Sequence, residues 1–128
     1  MGCKLCGNSE WSSASQRDVG LRAFDERRFR EAYDRLRPCA DSGDPVAQCR
    51  IGSLLQLGMV SIESNCDEAA DYYRRAGEAG CALSWNNLAT IYAVGTETRG
   101  SNRDAARKCF DKALELGFDG TADNPYNR

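Results

Sequence analysis

The residues with obvious chemical potential stand at the N-terminus. Cys3-Lys4-Leu5-Cys6-Gly7 is a CxxC followed by glycine, the form of half a zinc knuckle. Zinc takes four ligands in a tetrahedron. The sequence offers no second CxxC and no histidine. Completing a site around Cys3 and Cys6 would take two of Cys39, Cys49, Cys66, Cys81 and Cys109, or a second chain. A redox CxxC usually sits in a βαβ context, and none surrounds this one. Cys3 and Cys6 are therefore the candidate metal ligands of a chain read as having no metal and no cofactor.

The absence of histidine reaches further. It removes Ser-His-Asp and Cys-His catalysis and every imidazole-ligated zinc site. No other constellation of Asp, Glu, Lys or Cys suggests a pocket chemistry, so the chain is not expected to be an enzyme. The opening Met-Gly-Cys could take myristate on Gly2 and palmitate on Cys3, but the acylation pattern wants Ser or Thr where Cys6 stands. The first 25 residues hold no apolar run suited to a signal peptide or a membrane span. Seven cysteines with no secretory signal are read as reduced thiols in a cytoplasmic protein. Several of them should serve as small apolar fillers.

Charge excludes one partner class. The chain has 17 basic and 19 acidic residues, net −2. Residues 1–37 hold eight Lys/Arg against six Asp/Glu, and the remainder holds nine against thirteen. Neither part has the excess of a nucleic-acid binder. Six arginines from Arg22 to Arg37 are interleaved with Asp25, Glu26, Glu31 and Asp34. That pattern predicts a solvated helical surface with local ion pairs.

Stepping along the chain reveals a repeat. Gly43, Gly80 and Gly117 are 37 residues apart. Before each lies a small–large–small set: Ala32, Leu36, Cys39; Ala69, Tyr73, Ala76; Ala106, Phe110, Ala113. The spacing puts each set on one helix face, with the glycine as a left-handed C-terminal cap. Asp67 and Asp104 match near the helix starts, where the helix dipole favours an acid. A second helix repeats at the same offset. "DPVAQCRIGSLLQLG" (44–58) aligns with "CALSWNNLATIYAVG" (81–95). Gly52 and Ala89 occupy one position and should allow close helix approach. Residues 16–28 are expected to form a truncated first helix that caps the array, with Leu21 and Phe24 turned inward. The division is a leader (1–16), a repeat domain (17–118) and a tail (119–128).

A period of 37 with two helices per unit marks an all-α fold, a short α-solenoid of antiparallel helix pairs. The motif A-x-x-x-L-G-x-x-Y-x-x-G, then D, then A-x-x-x-Y/F-x-x-A-x-x-x-G resembles the Sel-like repeat, a relative of the tetratricopeptide repeat. Ala47, Ile51, Gly52, Leu55, Gly58, Asp67, Ala69, Tyr73, Ala76 and Gly80 carry the first copy. Ser84, Leu88, Ala89, Tyr92, Gly95, Asp104, Ala106, Phe110, Ala113 and Gly117 carry the second. Leu55, Ser84 and Ala89 depart from the family's tyrosine, alanine and glycine. The resemblance implies about two full repeats plus an N-terminal capping helix or helix pair.

It also implies a concave face lined by the first helix of each pair. The residues there would be Cys49, Arg50, Ser53 and Gln56, then Asn86, Asn87, Thr90 and Ala93. Such a surface is polar, and suits an extended peptide or a chain terminus. Trp85, aligned with Gln48, is expected to pack between helices; exposed, it would anchor a partner. The loops "MVSIESNC" and "TETRGSNR" exceed the family's common short form and are a second candidate edge. The function expected is protein–protein interaction, as an adaptor or scaffold with no nucleic acid and no membrane. The alternatives are an immunity-type inhibitor of one enzyme, or a zinc or redox protein using Cys3 and Cys6. Two copies could also stack through the terminal helix at 103–116.

Overall fold

In the computed structural model, residues 13–58 and 64–118 are described, with side chains from Gln16 onward. The CxxC head with Gly2, Trp11, part of the first long loop and the tail containing Tyr126 lie outside them. Among the described residues six helices follow in order: α1 (Ser13–Asp25), α2 (Phe29–Asp41), α3 (Pro45–Leu57), α4 (Cys66–Glu78), α5 (Ala82–Val94) and α6 (Arg103–Glu115). No strand occurs among the described residues. Each helix packs chiefly on the one before and the one after it, as a solenoid requires.

The helix ends explain the period. Gly43, Gly80 and Gly117 have φ of +108°, +108° and +94°. The next residue then turns its N–H back onto the helix, as Asp44 to Cys39 O, Cys81 to Ala76 O and Phe118 to Ala113 O at 2.9–3.0 Å. This is the same C-terminal cap made three times. The starts are capped as well. Asn65 Oδ1 accepts the N–H of Glu68, and Asn102 Oδ1 accepts that of Ala105, both at 3.0 Å. Asp44 Oδ1 accepts from Val46 and Ala47 at the start of α3, where Pro45 suits the first helical position.

Within a pair, close approach is set by a small residue under a large one. A side chain at Gly52 would meet the Tyr73 ring at 2.7 Å. The same relation holds between Gly20 and Leu36 at 2.6 Å. Between pairs, Gln48 donates to Ala40 O at 3.0 Å, and Trp85 covers Gly77 at the matching positions. Leu36, Ile51, Leu54, Tyr73 and Leu88 are the large buried residues of the core. Each contributes about 1.5–3 kcal/mol by leaving water.

The first helix corrects one expectation. It is not truncated: α1 has thirteen residues, like every other helix. What is short is its link to α2, three residues against the eight that join α3 to α4 and α5 to α6. The N-terminal element is therefore a complete helix pair. Phe24 meets Phe29 edge-on, with ring centroids 5.6 Å apart, and Ala23 is buried.

Candidate protein-interaction surface

The polar residues expected on the first-helix face have varied fates. Cys49 does not belong to any surface. It is 0% exposed, because the start of α5 covers it with Cys81 and Ser84. Arg50 is half-buried, its guanidinium 5.2 Å above the Phe24 ring. Ser53, Gln56 and Asn87 converge on one atom, the Tyr73 hydroxyl. That hydroxyl donates to Gln56 Oε1 at 2.8 Å and lies 3.1 Å from Ser53 Oγ. Asn87 hydrogen-bonds it from α5. Burial pushes the Tyr73 hydroxyl well above its usual pKa, so it stays protonated and keeps donating. These three side chains thus serve an internal polar contact between α3, α4 and α5. Asn86 is half-buried, and Thr90 and Ala93 are exposed.

Trp85 is 7% exposed and packs on Gly77, with Lys112 Nζ 4.3 Å from its ring. It is a packing residue. The arginine-rich stretch is paired locally at Arg28 with Glu26 and Glu31, Arg30 with Asp34 and Arg37 with Asp41, and Arg37 also pairs across to Glu68 on α4.

The second long loop builds a more open feature. Thr96 donates its N–H to Arg99 O, and Asn102 to Tyr92 O, both at 2.7 Å. Glu97 then reaches back to α4, where its carboxylate accepts the Cys66 N–H at 3.1 and 3.3 Å. Thr98 Oγ1 donates to Asp67 at 2.8 Å. Hydrogen bonds to Thr96 and Thr98, then the nearby Arg99, hold the Asp67 carboxyl below its usual pKa. Between this loop, α4 and α5 lies a cleft of about 380 Å³. Asp67, Asp71 and Arg74 line it from α4, Ile91 and Tyr92 from α5, and Arg99 from the loop. Arg74 donates to the Tyr92 hydroxyl at 2.5 Å.

Sequence reasoning overlooked one further feature. Leu57 and Val94 occupy matching positions just before Gly58 and Gly95, and are 63% and 76% exposed. Their shared place in the repeat was a visible signal. On α6, the terminal helix named from the sequence as a possible stacking face, Phe110 and Leu114 are exposed, with Leu116 exposed at its C-cap, and no described helix follows it. Among the described residues, no group of three or more potential ligands is placed to hold a metal, and no helix is long and apolar enough to cross a membrane.

No family model matches the sequence, and no curated protein matches it. Solved structures do. One is a protective antigen of uropathogenic Escherichia coli strains displaying an SLR fold, with TM-score 0.72 and 23% identity over 84% of this chain. Another is a Sel1 repeat protein from Oxalobacter formigenes, with TM-score 0.69 and 28% identity over 78% of this chain. The matches cover 24% and 39% of those two chains, so this chain spans a minor part of their length. The capped pairs, the small-under-large contacts and these likenesses agree: the chain has the Sel-like repeat fold.

Proposed function

We propose that the chain is a non-enzymatic protein-interaction module that works as an adaptor, taking a segment of a partner protein in the cleft beside the 95–102 loop. One observation carries this choice of site. Ser53, Gln56 and Asn87 are engaged with Tyr73, whereas the loop-side cleft is open and carries charges of both signs beside an aromatic side chain. Mixed charge beside apolar and aromatic side chains suits a peptide segment, which brings its own charges and side chains. The exposed Thr90 and half-buried Asn86 leave the first-helix face as the competing site.

The test is affinity purification from the native host with quantitative mass spectrometry. Wild type is compared with Arg74→Glu/Arg99→Glu and with Asn86→Arg/Thr90→Arg. A stoichiometric partner lost only with the first variant supports the cleft. Loss only with the second moves the site to the first-helix face. A partner that is an enzyme, and whose activity stops on binding, would replace the adaptor role with that of an inhibitor.

A further inference from the structure

The last helix shows an apolar stripe at positions that the earlier pairs bury. Phe110 is the counterpart of Leu36 and Tyr73, and Leu114 that of Ala40 and Gly77. Those four are buried. Gln48 of α3 donates onto Ala40, Trp85 of α5 covers Gly77, and Tyr73 is held from α3 and α5. Phe110 and Leu114 are 42% and 49% exposed. The stripe is not shaped for another pair laid on in the same way. A side chain at Gly77 would meet Trp85 at 2.7 Å. Leu114 fills the space that Ala40 and Gly77 leave open, so a following helix would be held further off. The ten residues after Phe118 do not read as such a helix. Gly120 and Pro125 interrupt them, and only Ala122, Pro125 and Tyr126 are apolar.

The charges around the stripe lack partners as well. Arg103, Arg107, Phe110 and Leu114 follow at intervals of four, three and four, which is one helix face, and Asp111 and Glu115 border it. All four charged residues are exposed. Among the described residues no ion pair involves α6, whereas Arg28, Arg30, Arg37 and Arg75 each meet an acid. Their order is unfavourable within one helix. Arg103 and Arg107 are like charges four residues apart, and so are Asp111 and Glu115. Asp104 and Lys112 suit the helix dipole, but Arg103 stands at its positive end and Glu115 at its negative end.

We propose that this stripe is the contact between two copies of the chain, with their α6 helices packed antiparallel about a twofold axis. Phe110 of each copy lies against Leu114 of the other. That register brings Arg107 and Lys108 of one copy level with Glu115 of the other, to within about 3 Å along the axis. Twofold symmetry makes each contact twice. The charges select the antiparallel sense, since a parallel pair would set Arg107 against Arg107 and Glu115 against Glu115. Antiparallel packing also opposes the two helix dipoles. One helix from each copy makes an interface smaller than the roughly 1,200 Å² of a stable complex, so the dimer forms with a Kd on the order of 100 µM. The contact does not use the cleft beside the 95–102 loop, and its test is independent of that site.

Sedimentation equilibrium of the full chain, from about 10 µM to about 1 mM, measures the association. A reversible monomer–dimer equilibrium that weakens with added salt is expected. Phe110→Ser/Leu114→Ser should raise Kd at least about tenfold. Arg107→Glu and Glu115→Arg should each raise it about tenfold, because each sets like charges together. An equimolar mixture of these two single variants should regain the wild-type Kd, since every altered residue then meets the opposite charge. A folding defect cannot give that recovery. A monomer at every concentration would overturn the proposal. A dimer that keeps its affinity in Phe110→Ser/Leu114→Ser would place the contact on another surface. Failure of the mixture to recover would overturn the antiparallel arrangement. Dimerisation that appears only in Ala122→Asp/Tyr126→Asp would make the chain's own tail, and not a second copy, the occupant of the stripe.

Discussion

The Glu97 carboxylate caps the start of α4 by accepting the Cys66 N–H, although 31 residues separate them. Together with Asn65, which takes the Glu68 N–H, it satisfies donors that a helix start leaves open. Backbone hydrogen bonds, its own and that from Cys66, hold the Glu97 carboxyl below its usual pKa. A carboxylate with a depressed pKa in the folded chain contributes stability above its unfolded value, and loses it as pH falls through the folded value. Glu97→Gln should therefore lower the Tm near neutral pH. The difference from wild type should vanish in acid below the ordinary carboxylate range. Thermal melts of both proteins across that range check this, and an equal deficit at every pH would refute it.

Gly52 has no room to grow. The nearest Tyr73 ring atom would lie 2.7 Å from a new Cβ, and the ring is itself held by its hydroxyl contacts. Gly52→Ala should destabilise by about 1–3 kcal/mol, the usual range for overpacking. Urea denaturation measures it, and a more stable variant would show that α3 and α4 can part freely.

Removing the Tyr73 hydroxyl leaves Gln56, Ser53 and Asn87 without their shared partner. Tyr73→Phe should cost about 1–2 kcal/mol, the range for a lost buried hydrogen bond. It should also make the Gln56 and Asn87 side-chain amides more mobile, which NMR relaxation reads directly. Unchanged amide dynamics would mean that the contact does not order this face.

Trp85 is assigned to packing, which separates two consequences. Trp85→Ala should cost about 3–5 kcal/mol, as for other large aromatic residues cut from a core. Any partner should bind the fraction that stays folded with unchanged affinity. Titration at low temperature tests this, and a large loss of affinity with little loss of stability would make Trp85 an anchor.

The helices were legible because their apolar positions and glycines recur at one offset, and that offset is written into the caps. Gly43, Gly80 and Gly117 make the same turn. Gly58 and Gly95 also share a position, yet differ: ψ is 48° at Gly58 and 170° at Gly95. The sequences of the loops that follow, not the period, set that difference. Gly20 escaped the periodic reading because the short α1–α2 link shifts it out of phase with Gly52. Cys49 was misplaced for a related reason. Helical spacing shows which side of α3 meets α4, but not that the start of α5 closes over another flank. Its counterpart Asn86 has no described helix beyond it and stays half-exposed. The open cleft depends on how one loop lies across a neighbouring helix, which spacing within a helix does not encode.

Packing that runs chiefly between chain neighbours has a consequence for how the molecule comes apart. Among the described residues, the substantial contacts pass from one helix to the next, so a disturbance at one end reaches the other step by step. Amide exchange should therefore form a gradient, slowest in the middle pair α3–α4, which is covered on both sides, and faster toward α1 and α6. The contacts from Glu97 and Thr98 onto α4 steepen one side of that gradient, since α6 can fray while the loop before it still grips the pair behind. The molecule should unravel like a ladder losing its last rung first, with the rung nearest its centre the last to give way.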